Sequence, residues 1–300
     1  MEPILVGVDA GGSKTIAAVA RAKHELARAL GVVGAVRPGR AAEAGAAIAG
    51  VVREALADAG VMQADALVVG AAGAGREPER VALEGALKSE SLATRVHVTT
   101  DVALFHAAAF GERPGVVLAA GTGSIAEGRD AAGRRHRAGG YGWVMSDGGS
   151  GSWIGRKALA TIAHQRDSGD PSSALEDAIL AATGATDFDS LVRWSVSAGA
   201  TDLAALVPAV VGAAVQGDTY ALAILDDAAT ELVQLVRKVA RPMSAGPKVH
   251  VALAGGLLAP HRPLRERVLD QLRLLENVLP MTGTPDPVAG ALRLAEGLMT

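Results

Sequence analysis

The chain has 300 residues, 49% of them hydrophobic, and a formal net charge of −3 at pH 7. This length predicts two domains, and the absence of a long Lys/Arg run argues against nucleic acid or an anionic membrane as a partner. Cysteine is absent from the sequence, which excludes disulfides, thiolate zinc sites, cysteine nucleophiles and cysteine-ligated iron–sulfur clusters.

No part of the sequence predicts export or a membrane span. The first residues lack the basic segment and long apolar run of a signal peptide. The longest uncharged stretch, residues 203–217, contains Pro208 and is too short for a spanning helix. We therefore expect a cytoplasmic protein that acts on a small ligand.

The first half of the chain alternates strands and helices. Apolar runs at 4–8 and 16–20 flank the turn Ala-Gly-Gly-Ser-Lys, which predicts a β-hairpin with a glycine-rich tip. Apolar residues at the spacing of helices or buried strands predict the elements that follow. These are a helix at 40–59, a strand at 66–71, a helix at 78–88, a strand at 96–99 and a helix at 101–110. The order is β-β-(β)-α-β-α-β-α.

The second half repeats this plan. A strand at 116–120, a glycine-rich tip at 121–124 and a returning strand at 125–128 restart the pattern. Residues 151–242 are mostly helical, a buried strand follows at 249–254, and a helix runs from about 287 to 299. We expect two α/β lobes with mixed sheets, and a ligand cleft between them. The predicted domains are 1–112 and 113–300, with the final helix at about 287–300 packing back on the first.

The first glycine turn has the composition of a phosphate site. Gly11 and Gly12 let backbone N–H groups approach phosphate oxygens, while Lys14 and the hydroxyls of Ser13 and Thr15 add donors. Asp9, at the end of the preceding strand, can hold Mg²⁺ through water. The same residues also suit an ordinary hairpin turn. They do not form a Walker A loop, because the residue before Lys14 is not glycine.

Two later segments share this composition. Gly121, Thr122, Gly123 and Ser124 repeat the turn without the acid, so two such turns could clasp phosphates from both sides. A dinucleotide-binding fingerprint fails there because Ala126 stands where the third glycine should be. The strand at 249–254 ends in Gly255 and Gly256, which would let adenine or ribose lie against backbone.

These motifs resemble those of the actin-like ATPase superfamily along the whole chain. The resemblance rests on the motifs DAGGSKT at 9–15, VTTDVALF at 98–105, AAGTGSIAEG at 119–128, VALAGGL at 251–257 and DPVAGALRLA at 286–295. The segment 139–159 is similar to a motif of N-acetylglucosamine kinases and BadF/BadG ATPases. This resemblance implies a duplicated ribonuclease H-like fold with a nucleotide cleft between two lobes. It also implies ATP as co-substrate, Mg²⁺ as cofactor, and phosphorylation of N-acetylglucosamine at its 6-hydroxyl.

The resemblance also implies residue roles. Asp101 matches the general base and sugar contact, Asp147 matches a sugar-binding aspartate, and Gly140 and Arg37 fall at sugar-contacting positions. Asp101 equally suits a helix N-cap, and the two roles are compatible. The family's Asp-Glu-Gly-Ser reads Asp-Gly-Gly-Ser here, with Gly148 for Glu, and Arg37 stands near the position of an expected Asn. Both departures favour a neutral acetamido group over a protonated amine.

Several alternatives remain at this point. Glucosamine or another hexose could be the acceptor. An ATP-binding regulator without catalysis is a further alternative, which the retained Asp9 and Asp101 disfavour. A partner-activating ATPase of the BadF type normally needs cysteines for an iron–sulfur cluster, which this chain lacks. The basic cluster at 134–137 is a solvated hairpin or an anionic-substrate contact, and Trp143 and Trp153 are sugar-stacking or core residues. As partners we expect a sugar and ATP, a homodimer, and neither nucleic acid nor a membrane.

Overall fold

The computed structural model describes residues 2–12, 14–22, 24–31, 34–243 and 248–300. These residues form two compact units. Unit 1 contains Met1–Arg113 and Pro285–Thr300, and unit 2 contains Pro114–Thr284. No helix in the described ranges is both long and apolar enough to cross a membrane.

Strands and helices are numbered in chain order. The strands are β1 (Ile4–Ala10), β2 (Thr15–Arg21), β3 (His24–Gly31), β4 (Ala64–Ala71), β5 (Ala93–Thr100), β6 (Gly115–Ala120), β7 (Ser124–Arg129), β8 (Arg135–Gly139), β9 (Val249–Ala254) and β10 (Val278–Pro280). The helices are α1 (Ala41–Asp58), α2 (Glu77–Ser89), α3 (Asp101–Phe110), α4 (Gly151–Ser168), α5 (Ala174–Thr183), α6 (Phe188–Ser197), α7 (Ala200–Ala204), α8 (Val207–Val215), α9 (Thr219–Ala240), α10 (Pro263–Arg273) and α11 (Pro287–Gly297).

Each unit is built on a five-stranded mixed sheet, and the two sheets have the same topology. The strand order is β3-β2-β1-β4-β5 in unit 1 and β8-β7-β6-β9-β10 in unit 2. In both, the first three strands in sequence pair antiparallel and the last two join in parallel. The predicted α/β class and the duplicated plan are therefore confirmed.

Both faces of the unit 1 sheet are covered, because alternate residues of a strand point to opposite faces. Val6 and Val8 of β1 belong to the core that α1 and α2 cover. Leu5 belongs to the smaller core beneath α3 and α11. Gly290 of α11 has no side chain where it meets the backbone carbonyl of Leu104, so α11 packs closely on α3. The final helix thus belongs to the core of unit 1.

The core of unit 2 is larger, because the chain inserts the helices α4 to α9 between β8 and β9. The long helix α9 lies against β6, β7 and β8, and Leu232 and Val236 on its inner face are fully buried. The strands β8 and β10 and the helix α10 were not predicted from the sequence pattern. The other predicted elements are confirmed, with ends that differ by a few residues.

Candidate functional site

The carboxyl edge of the unit 1 sheet gathers several polar groups. β1, β4 and β5 run parallel, and Ala10 pairs with Ala71, which pairs with Thr100, so the three strands end together. Asp9 lies one residue before the end of β1, and Asp101 opens α3 directly after β5. Strand ends of such sheets are where α/β proteins bind ligands.

The N-cap of α3 is Thr100 rather than Asp101. The Thr100 Oγ1 accepts a hydrogen bond of 3.1 Å from the backbone N–H of Ala103. Asp101 is the first helical residue, and its Oδ1 accepts from the backbone N–H of Val102 at 3.0 Å. The capping task is therefore met by Thr100, which leaves the Asp101 carboxylate available for chemistry.

Burial perturbs the pKa of both carboxylates at this edge, and repulsion from neighbouring acids adds to its effect on Asp9. The pKa of Asp9 is raised to about 6, chiefly by burial and then by the nearby charge of Asp101, while Lys14 opposes the rise. Burial also raises the pKa of Asp101. Such perturbation is common in functional sites, because they hold like charges close together in partly desolvated surroundings.

A third carboxylate, Asp286, was not predicted as a site residue. It also raises the pKa of Asp9, and it caps α11 by accepting from the backbone N–H of Val288 at 3.0 Å. Its other oxygen lies 3.3 Å from Arg28. The signal in the sequence was the Asp-Pro pair, since an N-cap acid followed by proline is a typical helix start.

The first glycine turn is open. Its backbone closes through a hydrogen bond of 2.9 Å from the N–H of Gly11 to the carbonyl of Lys14. A Cβ built on Gly12 would meet no described atom within 4 Å. Thr15 is fully buried, and its Oγ1 has no partner among the described residues, so its hydroxyl points away from solvent. Ser13, predicted as a phosphate contact, lies outside the described residues.

The second glycine turn is anchored on α4. The carbonyl of Gly121 accepts from the backbone N–H of Gly151 at 2.8 Å, and the carbonyl of Thr122 accepts from Ser152 at 3.2 Å. Ser124 is 3% exposed, and its hydroxyl donates to the carbonyl of Gly148 at 2.8 Å. Two of the first N–H groups of α4 are thus used to fix the turn.

Asp147 packs directly on this second turn. A Cβ built on Gly123 would lie 2.8 Å from Asp147 Oδ2. Asp147 is only 5% exposed, and its Oδ1 has no partner among the described residues. Burial raises its pKa, an effect that backbone N–H groups of Ser124 and Gly142 oppose. Its φ of 66° lies in the left-handed region, a strained conformation that is typical of functional residues.

The position of Gly148 corrects one argument from the sequence. The missing Glu of the motif suggested that a carboxylate is absent here. However, a Cβ built on Gly148 would lie 2.6 Å from Glu231 Oε2, because Glu231 of α9 reaches this backbone. A carboxylate therefore occupies this place, although it comes from a distant part of the chain, and the missing Glu gives no preference for the acetylated sugar.

The loop that carries Arg37 lies at the carboxyl edge of unit 1. The backbone N–H of Val36 donates to the carbonyl of Ala72 at 2.9 Å, and Ala72 donates to Ala10 at 2.9 Å. Arg37 is exposed and forms no ion pair within the described ranges. Its loop is therefore attached to the strand end that follows Asp9.

The remaining predicted positions differ in how open they are. Gly255 has a φ of 86° and closely approaches the backbone of Ala120, whereas a Cβ built on Gly256 would meet no described atom within 4 Å. Trp153 packs against the core of unit 2, while Trp143 is 37% exposed. Only Trp143 of these two aromatic residues is therefore available to a ligand.

Most of the basic cluster serves the hairpin between β7 and β8. Asp130 accepts hydrogen bonds from His136 at 3.0 Å and from the side chain of Arg134 at 2.9 Å. The His136 hydrogen bond is the main reason that the pKa of Asp130 lies well below its usual range. Arg135 lies 3.9 Å from Glu127. Three of the four basic residues are thus occupied by local acids.

The candidate residues divide between the units. Asp9, Asp101, Lys14 and Arg37 belong to unit 1, while Asp147, Gly140, the second turn and Gly256 belong to unit 2. Within the described part of the chain, no group of three or more His, Cys, Asp or Glu side chains could hold a metal ion. A Mg²⁺ at Asp9 would therefore need water and phosphate oxygens as its other ligands.

A family model and known proteins match this chain. The model of the BadF/BadG/BcrA/BcrD ATPase family matches residues 6–292. An N-acetylmuramic acid/N-acetylglucosamine kinase of Clostridium acetobutylicum is 32% identical over 167 residues, which is 55% of each chain. An N-acetyl-D-glucosamine kinase of Dictyostelium discoideum is 29% identical over 60% of this chain and 59% of its own. The alignments thus span little more than half of these curated relatives.

A solved structure is similar over almost its whole length. It comes from Chromobacterium violaceum and carries the assignment of N-acetylglucosamine kinase. It is 29% identical to this chain, covers 98% of this chain and 99% of its own, and superposes with a TM-score of 0.81. The likeness therefore includes both units.

Proposed function

The chain belongs to the BadF/BadG/BcrA/BcrD ATPase family, and from this premise we propose that it transfers the γ-phosphoryl group of ATP to an amino sugar. The acceptor we propose is the 6-hydroxyl of N-acetylglucosamine, a sugar that appears in the names of the three similar proteins. The observation that carries the proposal is the pair of perturbed carboxylates, Asp9 and Asp101, at one edge of unit 1.

Asp101 is the proposed general base. Phosphoryl transfer depends mainly on positioning and charge neutralisation, and a carboxylate beside the acceptor hydroxyl takes up its proton. The raised pKa of Asp101 supports this role, because a carboxylate that binds protons more tightly is a better proton acceptor near neutral pH. Its anchored position at the first turn of α3 also supports a fixed geometry.

The glycine turns are the proposed phosphate contacts. The open space at Gly12 and Gly121 supports a close approach of phosphate oxygens to backbone N–H groups. Lys14 adds a positive charge in unit 1, and Thr122 adds a hydroxyl in unit 2. The internal hydrogen bond of Ser124 and the burial of Thr15 favour backbone roles for these two residues. Gly256 is the proposed contact for adenosine.

Asp9 is the proposed ligand for Mg²⁺. Its raised pKa fits a site that is completed by a cation, because a nearby positive charge would relieve the repulsion from Asp101 and Asp286. A bound Mg²⁺ supplies charge neutralisation to the phosphates. Lys14 supplements that positive charge from the protein side.

Asp147 is the proposed acceptor for sugar hydroxyls in unit 2. Its Oδ1 is buried without a partner, and an unsatisfied buried oxygen favours a ligand that can donate a hydrogen bond. Gly140 and Arg37 are further proposed sugar contacts. The exposed charge of Arg37 would repel a protonated 2-amino group, which favours the acetylated sugar, although an exposed charge pair contributes only about 0–1 kcal/mol.

An acceptor panel tests this function. ADP release would be measured with N-acetylglucosamine, N-acetylmuramic acid, glucosamine and glucose, and the product would be located by NMR. We expect the highest kcat/KM with N-acetylglucosamine and phosphorylation at the 6-hydroxyl. ADP release that no sugar accelerates would instead favour a partner-driven ATPase. In Arg37→Asn, the ratio of kcat/KM for N-acetylglucosamine to kcat/KM for glucosamine should fall by less than about fivefold.

Location and assembly follow as secondary proposals. Because ATP is the phosphoryl donor, we expect the enzyme in the cytoplasm. A homodimer, without nucleic acid or membrane partners, stays a prediction, and size-exclusion chromatography with light scattering would test it.

A further inference from the structure

Arg137 differs from its basic neighbours at the end of β8. Arg134, Arg135 and His136 all lie beside an acid, as described above. Arg137 forms no ion pair within the described residues and instead turns to the backbone that follows it. Its Nε donates to the carbonyl of Gly139 at 3.2 Å, and its Nη2 donates to the carbonyl of Gly140 at 2.6 Å.

A third contact extends this arrangement by one residue. The guanidinium carbon of Arg137 lies 5.3 Å from the ring centre of Tyr141, within the range of a cation–π interaction. One side chain therefore contacts three successive residues, Gly139, Gly140 and Tyr141. A planar guanidinium can donate in two directions and stack at the same time, which an ammonium cannot do.

The segment that Arg137 holds has little stiffness of its own. Gly139, Gly140 and Gly142 have φ values of 78°, 72° and 95°, a region that glycine enters freely. Three glycines within four positions cost much conformational entropy when the segment is ordered. External contacts must supply that order, and the N–H of Gly140 finds one in the carbonyl of Ser124 at 2.9 Å.

The same segment leads to the proposed sugar contacts. Gly140 lies within it, and Asp147 ends the loop that it begins. The backbone N–H of Gly142 and the charge of Arg137 both act on the Asp147 carboxylate and lower its pKa against the effect of burial. Glu231, which approaches Gly148, is an exposed carboxylate that faces this region from α9.

We propose that Arg137 is a positioning residue of the sugar site, which fixes the Gly139–Tyr141 backbone and thereby orients Gly140 and Asp147 toward the acceptor. This inference rests on the proposed sugar kinase function. Arg137 acts through the backbone and does not take part in phosphoryl transfer. Its loss should therefore weaken the use of the sugar far more than the use of ATP.

The test compares Arg137→Ala and Arg137→Lys with the matched variant Arg135→Ala, which removes a neighbouring exposed arginine. For Arg137→Ala we expect the KM for N-acetylglucosamine to rise about tenfold or more, with the KM for ATP changed by less than about twofold. Arg137→Lys keeps the charge but not the forked donation, so its KM should be intermediate. Arg135→Ala should match the wild type.

A double-mutant cycle with Asp147→Asn tests the route of the effect. If Arg137 acts through Asp147, the rise in the sugar KM of the double variant should be smaller than the product of the rises in the two single variants. An unchanged sugar KM in Arg137→Ala would overturn the inference, as would equal rises in both KM values together with a lower Tm. If Arg137→Ala does not fold, the KM values for the sugar and for ATP would be compared between Arg137→Lys and Arg135→Lys instead. A wild-type enzyme that phosphorylates no amino sugar would instead refute the proposed function.

Discussion

The two glycine turns occupy equivalent places in two sheets of the same topology, yet they are held in different ways. The turn between β1 and β2 has an acid beside it, and its glycine at position 12 faces open space. The turn between β6 and β7 has Ala119 in place of the acid, rests on α4, and packs Gly123 against Asp147.

This difference shows that one residue type can serve two purposes. None of Gly11, Gly12, Gly121 and Gly123 has a positive φ, so backbone conformation does not demand glycine at these places. A Cβ on Gly12 would face open space, whereas Gly123 leaves room for the Asp147 side chain. The second turn is therefore also part of the structure of its unit, whereas Gly12 of the first turn packs against no described residue.

The largest expected effect concerns Asp101, which lies at the carboxyl edge of the unit 1 sheet. Asp101→Asn should lower kcat by about 10²- to 10⁴-fold and leave the affinity for ATP nearly unchanged, because the lost carboxylate acts on the acceptor hydroxyl. Steady-state kinetics and calorimetric titration with ATP measure both quantities. A variant that keeps more than about a third of the wild-type kcat would remove Asp101 from the role of base.

The next effect separates the two turns by stability. Gly123→Val should lower the free energy of unfolding by about 1–3 kcal/mol, because its side chain overlaps the Asp147 carboxylate. Gly12→Val should leave stability nearly unchanged, because its side chain meets no described atom, and it should weaken ATP binding if the proposed phosphate contact is correct. Denaturant titration and calorimetry would be run on both variants. Equal losses of stability would mean that the two turns are not different in this respect.

A smaller effect tests the support behind the second turn. The Ser150 hydroxyl caps α4 by accepting from the backbone N–H of Trp153 at 3.2 Å, so Ser150→Ala should cost about 1 kcal/mol of stability and weaken ATP binding. Ser173→Ala is the matched control, since Ser173 caps α5 with a bond of 3.3 Å to Glu176. The control should lose similar stability but keep its ATP affinity. If both variants bind ATP like the wild type, the anchoring of the turn is not functional.

The smallest effect is a pH dependence that arises from Asp9. Its pKa is about 6 in the folded protein against an ordinary value of 3.8, so the folded state binds the proton more tightly. Unfolding then becomes easier as pH rises through about 4 to 6, because the folded state must give up a proton that the unfolded chain has already lost. Without nucleotide or Mg²⁺, the Tm of Asp9→Asn relative to that of the wild type should increase as the pH rises from 4 to 7.

The second turn has Ala119 at the place of Asp9, but Asp147 beside it also has a raised pKa, so the comparison rests on Asp9→Asn and the wild type alone. A difference in Tm between Asp9→Asn and the wild type that stays constant with pH would show that Asp9 has an ordinary pKa. The sign of the change is the test, because Asp9 is partly exposed and solvent weakens the effect.

The sequence predicted the long periodic elements best, and the failures have physical causes. The helix α9 was predicted from its periodic apolar residues, and β9 was predicted from its run of apolar residues. The pattern of α10 was obscured by Arg265, a charged residue that is 3% exposed and donates to the carbonyls of Leu258 and Thr282. Strand β8 has no alternating pattern, and β10 is only three residues long.

For the candidate site, strand ends were predictable and tertiary contacts were not. Asp9 was placed at a strand end by the apolar run before it, whereas Asp101 was named from the family resemblance. The packing of Gly123 on Asp147 and of Gly148 on Glu231 depends on how α9 lies against β7 and on how α4 bonds to the second turn, which no local pattern encodes. The role of Arg137 is likewise visible only from the direction of its side chain.

The approach of Glu231 to Gly148 has a consequence for the evolution of this motif. A side chain at position 148 would meet the Glu231 carboxylate, so the exposed side chain of Glu231 would have to turn away to admit it. A glutamate at position 148 would also bring two negative charges close together, which favours a different residue on α9. We therefore expect sequences of this family to show correlated exchange at these two positions, with a Glu in the motif accompanied by a smaller residue on the helix.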